Sequence, residues 1–499
     1  MGGDIVAGTN LVDALKVFEH DPETKGIILI GELGGRAEVD AAEWIKDYRQ
    51  RTKNPKPIAA IVGGVYAPPG RIMGHAGAWS ARGDPGATEK YKILQNAGVT
   101  MVDHPENFGE VMKTLLSESG QDPKEIMKDA AKQERNQQNV SGEQKRGYHT
   151  STKRPLAETQ RLARQAVQQK RGMVFKSDQA LSVLETYLSS VENLSISQEE
   201  PPAGQGFYVS VAIDRTSRQP ALAIAPTIDI KDLRAKLRHF PYNYLQGPSD
   251  SILEEAVSHA CPSAPSSAHP QLKTLLQALA TTHRHKEAVT LATTLTLTPS
   301  TQNPTLTLHL PTLHAQFDPS APKSASRQLD LATLSQQNPT QNPDELTAEA
   351  DGIVLVRLDS DNPAANIGTL VNGAGLAMNT VDALRTSHSG LAANFLDTGG
   401  KATSATVKKS FELILRDARV KVIFVNIFGG LTDGGMIAEG ILLAFREVEM
   451  RGVPVVVRIR GTNEEVGQRI IRESGLGLEA FDGFAEAAGR VVEIARERS

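Results

Sequence analysis

The sequence contains a single cysteine, Cys261, among its 499 residues. One thiol excludes an internal disulfide and a cysteine-based metal site, and it is typical of proteins in a reducing compartment. Long apolar runs are also missing, so we expect no segment that crosses a bilayer and no membrane partner. The opening residues MGGDIVAGT have the features of neither a secretory signal nor a basic amphipathic presequence.

Excess charge is a second absence. The net charge is −4 and the isoelectric point is near 6.3, which argues against a nucleic-acid partner held by bulk electrostatics. Acidic residues are also missing locally, because the stretch from Ala288 to Phe317 contains no Asp or Glu. Hard cations such as Mg²⁺ are held poorly without carboxylates. We therefore predict no metal ligands in this stretch.

Two regions show the alternation of strands and helices that parallel sheets produce. Residues 1–125 contain short apolar runs, such as GIILI and PIAAIVGG, separated by amphipathic stretches such as AEVDAAEWIKDY. Residues 351–499 repeat this pattern with VKVIFVNIF and VPVVVRIRG. Continuous apolar strands separated by helices predict a parallel sheet that is covered on both faces. We therefore expect a flavodoxin-like α/β domain at each end.

The centre of the chain differs in composition. Residues 126–175 are rich in Gln, Lys and Arg, which predicts an exposed basic linker. The alternative is a mitochondrial presequence stranded between fused segments, which the embedded glutamates disfavour. Residues 176–350 contain a plausible sheet segment, GFYVSVAIDRTSRQPALAIAPT, and a run of period two, TLATTLTLTPSTQNPTLTLHL, that is compatible with strands. The neighbouring HAQFDPSAPKSASRQ and SQQNPTQNP predict loops or disorder.

His75 lies in the segment APPGRIMGHAGAW, residues 67–79, which is the most informative part of the chain. The flanking Gly74 and Gly77 and the nearby prolines favour a loop with an open imidazole. Such a ring can carry a proton, bind a metal or accept a phosphoryl group, and the residues alone leave these roles open. A solvated loop histidine is the simpler interpretation, which we favour for most of the other histidines.

Three glycine-rich turns follow predicted strands: GELGG at 31–35, NFLDTGGKA at 394–402 and NIFGGLTDGG at 426–435. Ligands of parallel α/β sheets bind at the carboxyl ends of strands, where such turns lie. A glycine pair there exposes backbone N–H groups, and the next helix presents its positive end to an anion. Two such turns on separate domains predict a phosphate held between paired helix N-termini.

Glu32 ends a strand in the same domain as His75. A carboxylate that accepts an imidazole N–H fixes the tautomer and frees the other nitrogen for attack. Taken alone, Glu32 is more simply a solvated turn residue or a charge at a helix N-terminus.

These motifs carry a family resemblance. GELGGRAEVDAA followed by APPGRIMGHAGAW resembles the ligase domain of the succinyl-CoA synthetase alpha subunit. VNGAGLAMNTVDAL, ANFLDTGG and VNIFGGLTDGGMIAEGI resemble the carboxy-terminal domain of its beta subunit. The resemblance covers most of residues 1–120 and 352–499. It implies a fusion of alpha-type and beta-type pieces.

The resemblance also implies roles for individual residues. His75 would be the phosphohistidine, and Glu32 the carboxylate that positions it. The helices that hold the phosphate would be opened by two glycine pairs: Gly34 with Gly35, and Gly429 with Gly430. The carboxylic acid substrate would be bound by Asn372, Gly430, Leu431 and Thr432. The substrates would be succinate or succinyl-CoA, phosphate, CoA and ATP or GDP/GTP, with Mg²⁺.

The sequence departs from the family pattern in two places. The family's CoA-binding domain, with its glycine-rich loop, would precede MGGDIVAGTN and is not in this sequence. The centre resembles a degenerate ATP-grasp domain, in which VTLATTLTLTPS, residues 289–300, replaces the strand that holds Mg²⁺. We therefore expect a degenerate ATP-grasp-like, partly disordered α+β centre between the two flavodoxin-like domains.

Three functions follow from the resemblance. The first is an acid–CoA ligase that interconverts succinyl-CoA, NDP and phosphate with succinate, CoA and NTP. The second is a catalytically incomplete paralogue that binds synthetase subunits as an assembly or regulatory partner. The third is a ligase for another acid, such as citrate or malate. For the first two we expect synthetase subunits as partners, and the resemblance implies a location in the mitochondrial matrix.

Overall fold

In the computed structural model, the described residues are 8–68, 71–75, 77–80, 84–126, 128, 173–202, 206–214, 217–262, 266–298, 305–317, 342–399, 402–430 and 432–499. The predicted basic linker, residues 126–175, lies almost entirely outside them. No helix within these ranges is long and apolar enough to cross a membrane.

The amino-terminal segment is built around a three-stranded parallel sheet of order β1-β2-β3. Its central strand, β2, is apolar and buried along its whole length, which explains the continuous run IAAIVG. The elements are α1 (Leu11–His20), β1 (Ile27–Glu32), α2 (Ala37–Arg51), β2 (Ile58–Gly63), α3 (Ala87–Asn96), β3 (Thr100–Met101) and α4 (Phe108–Glu118).

The central segment is a largely antiparallel sheet with helices packed on it. Its core joins the β6–β7 hairpin and β9 to α5, α7 and α8. The elements are β4 (Met173–Lys176), α5 (Ser177–Leu188), β5 (Leu194–Ser197), β6 (Phe207–Asp214), β7 (Gln219–Ala225), α6 (Ile230–Lys236), β8 (Arg238–Pro241), α7 (Asp250–Ala260), α8 (His269–His285), β9 (Ala288–Thr298), β10 (Thr305–His309) and β11 (His314–Phe317).

One prediction for the centre is wrong at its start. The segment beginning HAQF was expected to be loop or disorder, but residues 314–317 form β11, which pairs with both β4 and β9. Four residues are too few to show a period, and the strand is stabilised by neighbours distant in sequence. The remainder of that tract, from residue 318 to 341, lies outside the described residues.

The carboxy-terminal segment contains a six-stranded sheet of order β12-β14-β13-β15-β16-β17. Only β12 runs antiparallel to its neighbour, and the other strands are parallel. The elements are α9 (Pro343–Ala350), β12 (Val354–Arg357), β13 (Ile367–Val371), α10 (Ala374–His388), β14 (Asn394–Asp397), α11 (Ser404–Leu415), β15 (Val422–Gly429), α12 (Gly434–Glu447), β16 (Val455–Gly461), α13 (Glu464–Glu473), β17 (Glu479–Phe481) and α14 (Phe484–Glu497). The predicted α/β chain with parallel strands at both ends is confirmed.

The two outer segments share one hydrophobic core, although the central segment separates them in sequence. The same cluster of buried side chains includes Ile45 and Val62 from the amino-terminal segment and Met378, Phe424 and Val491 from the carboxy-terminal segment. Burial of such side chains is the main stabilising term in folding. Helix α10 lies at this junction, and β2 is its nearest strand in the amino-terminal segment.

Candidate active site

His75 and Glu32 lie side by side at the carboxyl end of β1. The imidazole Nε2 of His75 is 3.2 Å from Oε2 of Glu32, and the two side chains are 18% and 30% exposed. A carboxylate at this distance can orient the imidazole and balance a positive charge that develops on the ring. The geometry therefore fits a histidine prepared for attack on an electrophile.

A buried ion pair fixes the backbone that carries Glu32. Lys90 Nζ is 2.5 Å from Oε2 of Glu38, and it also donates to the carbonyl oxygens of Glu32 and Gly34 at 2.8 and 2.7 Å. Oε1 of Glu38 in turn accepts the backbone N–H of Glu32 at 3.1 Å. Both charged side chains are buried, so this pair is screened little by water. It holds the strand end in one conformation.

Gly34 brings the first glycine turn against the histidine loop. Its φ of +94° is in the left-handed region, and a methyl group there would lie 2.6 Å from the carbonyl oxygen of Gly77. Only glycine allows this approach. Gly35, with a φ of +63°, follows and leads into α2, which begins at Ala37.

The amino terminus of α10 lies directly against the histidine loop. Gly74 has a φ of +96°, and a methyl group on it would collide with the Cβ of Ala374, the first residue of α10. The backbone N–H groups at the start of a helix carry partial positive charge. A phosphoryl group on His75 would therefore be near a helix end that the carboxy-terminal segment supplies.

Asp397 holds that helix end in place. Its Oδ1 accepts the backbone N–H of Gly373 at 2.5 Å and that of Gly399 at 2.6 Å. The carboxyl group is buried, and burial raises its pKa, while the two N–H bonds and the nearby His75 act in the opposite direction. Besides Glu32, the site thus contains a second carboxylate that interacts electrostatically with the imidazole.

The predicted substrate residues form a second cluster, adjacent in sequence to Gly373. Asn372 Nδ2 donates to the carbonyl oxygen of Phe428 at 3.0 Å and to Oγ1 of Thr432 at 2.8 Å, and its Oδ1 accepts the Phe428 N–H at 2.9 Å. Asn372 and Thr432 are buried, whereas Phe428 is 53% exposed. Asn372 therefore fixes the turn after β15.

That turn contains the second glycine pair. Gly429 has a φ of +129°, and nothing lies within 4 Å of a methyl group added to it or to Gly430. The Gly430 carbonyl oxygen accepts the Thr462 hydroxyl at 3.0 Å. Leu431 lies outside the described residues. This open turn leaves space for a ligand beside Asn372.

The structure thus brings the predicted residues together as two groups. His75, Glu32 and Gly34 form one group, and Asn372, Thr432 and the Gly429–Gly430 turn form the other. The residues between the groups were not assigned from the sequence: Gly373, Ala374 and Asp397. Asp397 lies inside the motif NFLDTGGKA, and the glycine pair of that motif is the sequence signal that could have indicated Asp397.

The described residues of the central segment were predicted to lack metal ligands. Within the described part of the chain, no group of three or more His, Cys, Asp or Glu side chains could hold a metal ion. Strand β9 carries buried threonines instead, including Thr290, Thr293 and Thr294. Neutral hydroxyls are weak ligands for a hard cation.

Comparison with known proteins shows which class of protein the chain resembles. The CoA-ligase family matches residues 1–102 and 370–492, which are the two segments that meet at His75 and α10. These two parts of the chain are therefore similar to the CoA-ligase family. Within that class, the relatives below confirm the resemblance to the succinyl-CoA synthetase family that the motifs predicted.

The beta subunit of the ADP-forming succinate–CoA ligase of Actinobacillus succinogenes is 47% identical over 171 residues, 34% of this chain and 42% of that protein. The corresponding subunit of Staphylococcus aureus is 45% identical over 157 residues, 32% of this chain and 39% of that protein. The chain thus spans about two-fifths of the length of the curated relatives that it matches. Among solved structures, ATP citrate lyase from Methanothrix soehngenii aligns with a TM-score of 0.43 and 17% identity, covering 68% of this chain and 90% of that chain.

Proposed function

We propose that this chain is an acid–CoA ligase of the succinyl-CoA synthetase type, in which His75 carries the phosphoryl group. The observation that supports the proposal best is the contact between the two CoA-ligase parts. The imidazole and its partner Glu32 come from one part, and the helix end at Ala374 comes from the other. Each part alone would hold half of a phosphoryl-transfer site.

The central step is transfer from an acyl phosphate to His75. An imidazole nitrogen attacks the phosphorus, an N–P bond forms, the P–O bond to the acyl group breaks, and the acid leaves as a carboxylate. The Glu32 carboxylate, 3.2 Å from Nε2, balances the positive charge that develops on the ring. The α10 amino terminus stabilises the phosphoryl oxygens, since positioning and electrostatics supply most of the catalysis in such transfers.

The acid would leave from the cluster next to this step. Asn372 and Thr432 hold the open Gly429–Gly430 turn, and Asn372 directly precedes the residues that open α10. Backbone N–H groups in such a turn suit a carboxylate. The acid proposed for this cluster is succinate, with a larger acid such as citrate or malate as the alternative.

The complete cycle also needs a CoA site, from which CoA leaves when phosphate attacks the thioester, and a nucleotide site, where the NDP takes the phosphoryl group from His75. We propose that the central segment is a degenerate ATP-grasp-like region, because the stretch from Ala288 to Phe317 lacks every acidic side chain. Synthetase subunits would then supply the CoA and nucleotide sites. The same observation favours the second candidate function, a catalytically incomplete paralogue that binds synthetase subunits as an assembly or regulatory partner.

Labelling distinguishes these functions. The full-length protein is incubated separately with ³²P-labelled succinyl phosphate, with [γ-³²P]ATP or GTP and Mg²⁺, and with succinyl-CoA, labelled phosphate and a family alpha subunit. Acid-labile, base-stable label from succinyl phosphate, lost in His75→Asn, is the expected result. His20→Asn is the matched control, because the His20 side chain is 80% exposed.

Each donor decides a different point. Label from a nucleotide without added subunits would show that the central segment works as a nucleotide site. If this chain is labelled only in the mixture that contains the alpha subunit, it carries phosphate as part of a complex with that subunit. Absence of label from all three donors would refute the ligase function and leave the non-catalytic partner. Competition by succinate, citrate or malate identifies the acid.

A further inference from the structure

The carboxylate of Asp382, on α10, accepts three consecutive backbone N–H groups from the amino-terminal segment. Its Oδ2 accepts from Gly64 at 2.7 Å and from Val65 at 2.9 Å, and its Oδ1 accepts from Tyr66 at 2.9 Å. These three residues follow β2 directly and begin the loop that carries His75. One side chain therefore fixes the start of the histidine loop.

Burial makes these bonds strong. Asp382 is 7% exposed. Burial raises the pKa of its carboxyl group, and the three N–H bonds act against that shift. Hydrogen bonds to a charged acceptor are about twice as strong as neutral ones. The three donors are backbone N–H groups, so a carboxylate that binds all three also fixes the path of the backbone.

The same helix contacts the loop along its length. Arg385 lies over the ring of Tyr66, with Cζ 4.4 Å from the ring centroid. At the other end of α10, Ala374 packs against Gly74, next to His75. Ala374 and Arg385 lie on one side of the helix, because eleven residues are close to three helical turns, and Asp382 is the neighbour of Arg385 three residues earlier. Helix α10 is therefore the support on which the loop rests.

We infer that Asp382 is a positioning residue for His75: it anchors the start of the histidine loop to α10, so that the imidazole reaches the helix end at Ala374. This inference rests on the proposed phosphoryl transfer for its role, although the anchoring itself can be measured without it. Asp382 touches no reacting atom and acts through the loop.

An amide cannot replace this carboxylate. Both oxygens of Asp382 accept N–H groups, whereas Asn has one oxygen and one NH₂ group that would face a donor. Asp382→Asn has nearly the same shape, so it removes acceptor capacity and charge without leaving a cavity. The matched control is Ser387→Ala, which deletes a 2.9 Å bond to Asp103 from the same helix across the same junction but away from the loop.

Hydrogen–deuterium exchange of the full-length protein measures the anchoring. In Asp382→Asn we expect amide exchange across residues 62–68 to rise roughly 10- to 100-fold, because a lost bond to a buried charge has an effect of that order. Ser387→Ala should exchange like wild type. The first-order rate of transfer from saturating labelled succinyl phosphate to His75 should fall at least about tenfold, with the half-saturating concentration unchanged, since the acid-binding cluster is not altered.

The outcomes separate the two proposals. Unchanged exchange at residues 62–68 in Asp382→Asn would overturn the inference, whatever the activity. Raised exchange with an unchanged rate of phosphoryl transfer to His75 would overturn the positioning role. If wild type takes no phosphate from any donor, the proposed function fails, and the anchoring is judged by exchange alone. If Asp382→Asn does not fold, Asp382→Glu is used: its longer side chain displaces the carboxylate and should also raise exchange.

Discussion

Protonation of His104 at mildly acidic pH should weaken the contact between the two outer segments. The ring is buried and stacks on Phe484 of α14, with centroids 3.6 Å apart, and its Nδ1 accepts the backbone N–H of Glu106 at 3.3 Å. Protonation would place a charge in the junction and break this bond. Burial, reinforced by nearby Arg458, lowers the pKa of His104 to about 3, and Asp103 opposes this only in part.

The sign and size of the effect follow from this shift. The folded protein favours the neutral ring. The free energy of unfolding therefore keeps its full value above 6.5, the pKa of the ring in the unfolded state, and decreases as the pH falls towards about 3, the pKa in the folded state. The unfolded state binds the extra proton in this window. At pH 5 the loss amounts to about 2 kcal/mol relative to pH 8.

Urea unfolding of wild type and His104→Phe at pH 8 and pH 5 measures this loss. Phe preserves the ring stacking but cannot be protonated. The two tryptophans of the chain, Trp44 and Trp79, both lie in the amino-terminal segment, so their fluorescence reports on it. We expect wild type to lose about 2 kcal/mol more than the variant between the two pH values. A difference below about 0.5 kcal/mol would show that the ring is not held neutral by the junction.

Two substitutions test the site itself. Gly74→Ala should destabilise the protein by about 1–3 kcal/mol and abolish labelling of His75, because the new methyl group collides with Ala374. The control is Gly86→Ala: no atom lies within 4 Å of its new methyl group, so its free energy of unfolding in urea should stay within about 0.5 kcal/mol of wild type. An equal loss of stability in both variants would contradict the collision with Ala374. Lys90→Met should cost about 3–5 kcal/mol, because it leaves Glu38 buried without its cation. Adding Glu38→Gln should recover a large part of that cost in the same assay, and a double variant as unstable as the single one would contradict the ion pair.

Local sequence patterns could predict the strands and the position of His75. The apolar run IAAIVG indicates a buried parallel strand, and the glycines around His75 indicate a loop. The proximity of Glu32 and His75 could also be expected, because Glu32 ends β1, His75 follows β2, and these are parallel strands of one sheet. These features depend on neighbours in sequence or on a rule common to all parallel sheets.

The remaining features depend on contacts that no local pattern encodes. Asp382 looks like an ordinary polar residue of an amphipathic helix, and only its burial against Gly64 reveals its role. Lys90 belongs to the helical stretch ATEKYKILQNAG, where a lysine usually faces solvent, yet it is fully buried beside Glu38. Buried charges become recognisable only when their partners are known.

The shared core of the outer segments has a consequence for synthesis. Tyr66 and its partner Asp382 are 316 residues apart, and α14, which contributes to the same core, ends at Glu497. At about 5–20 residues per second, the ribosome needs roughly 15 to 60 s to connect the two. The amino-terminal segment is therefore synthesised before the helices that share its core, and its apolar side chains stay uncovered until α10 and α14 have been made.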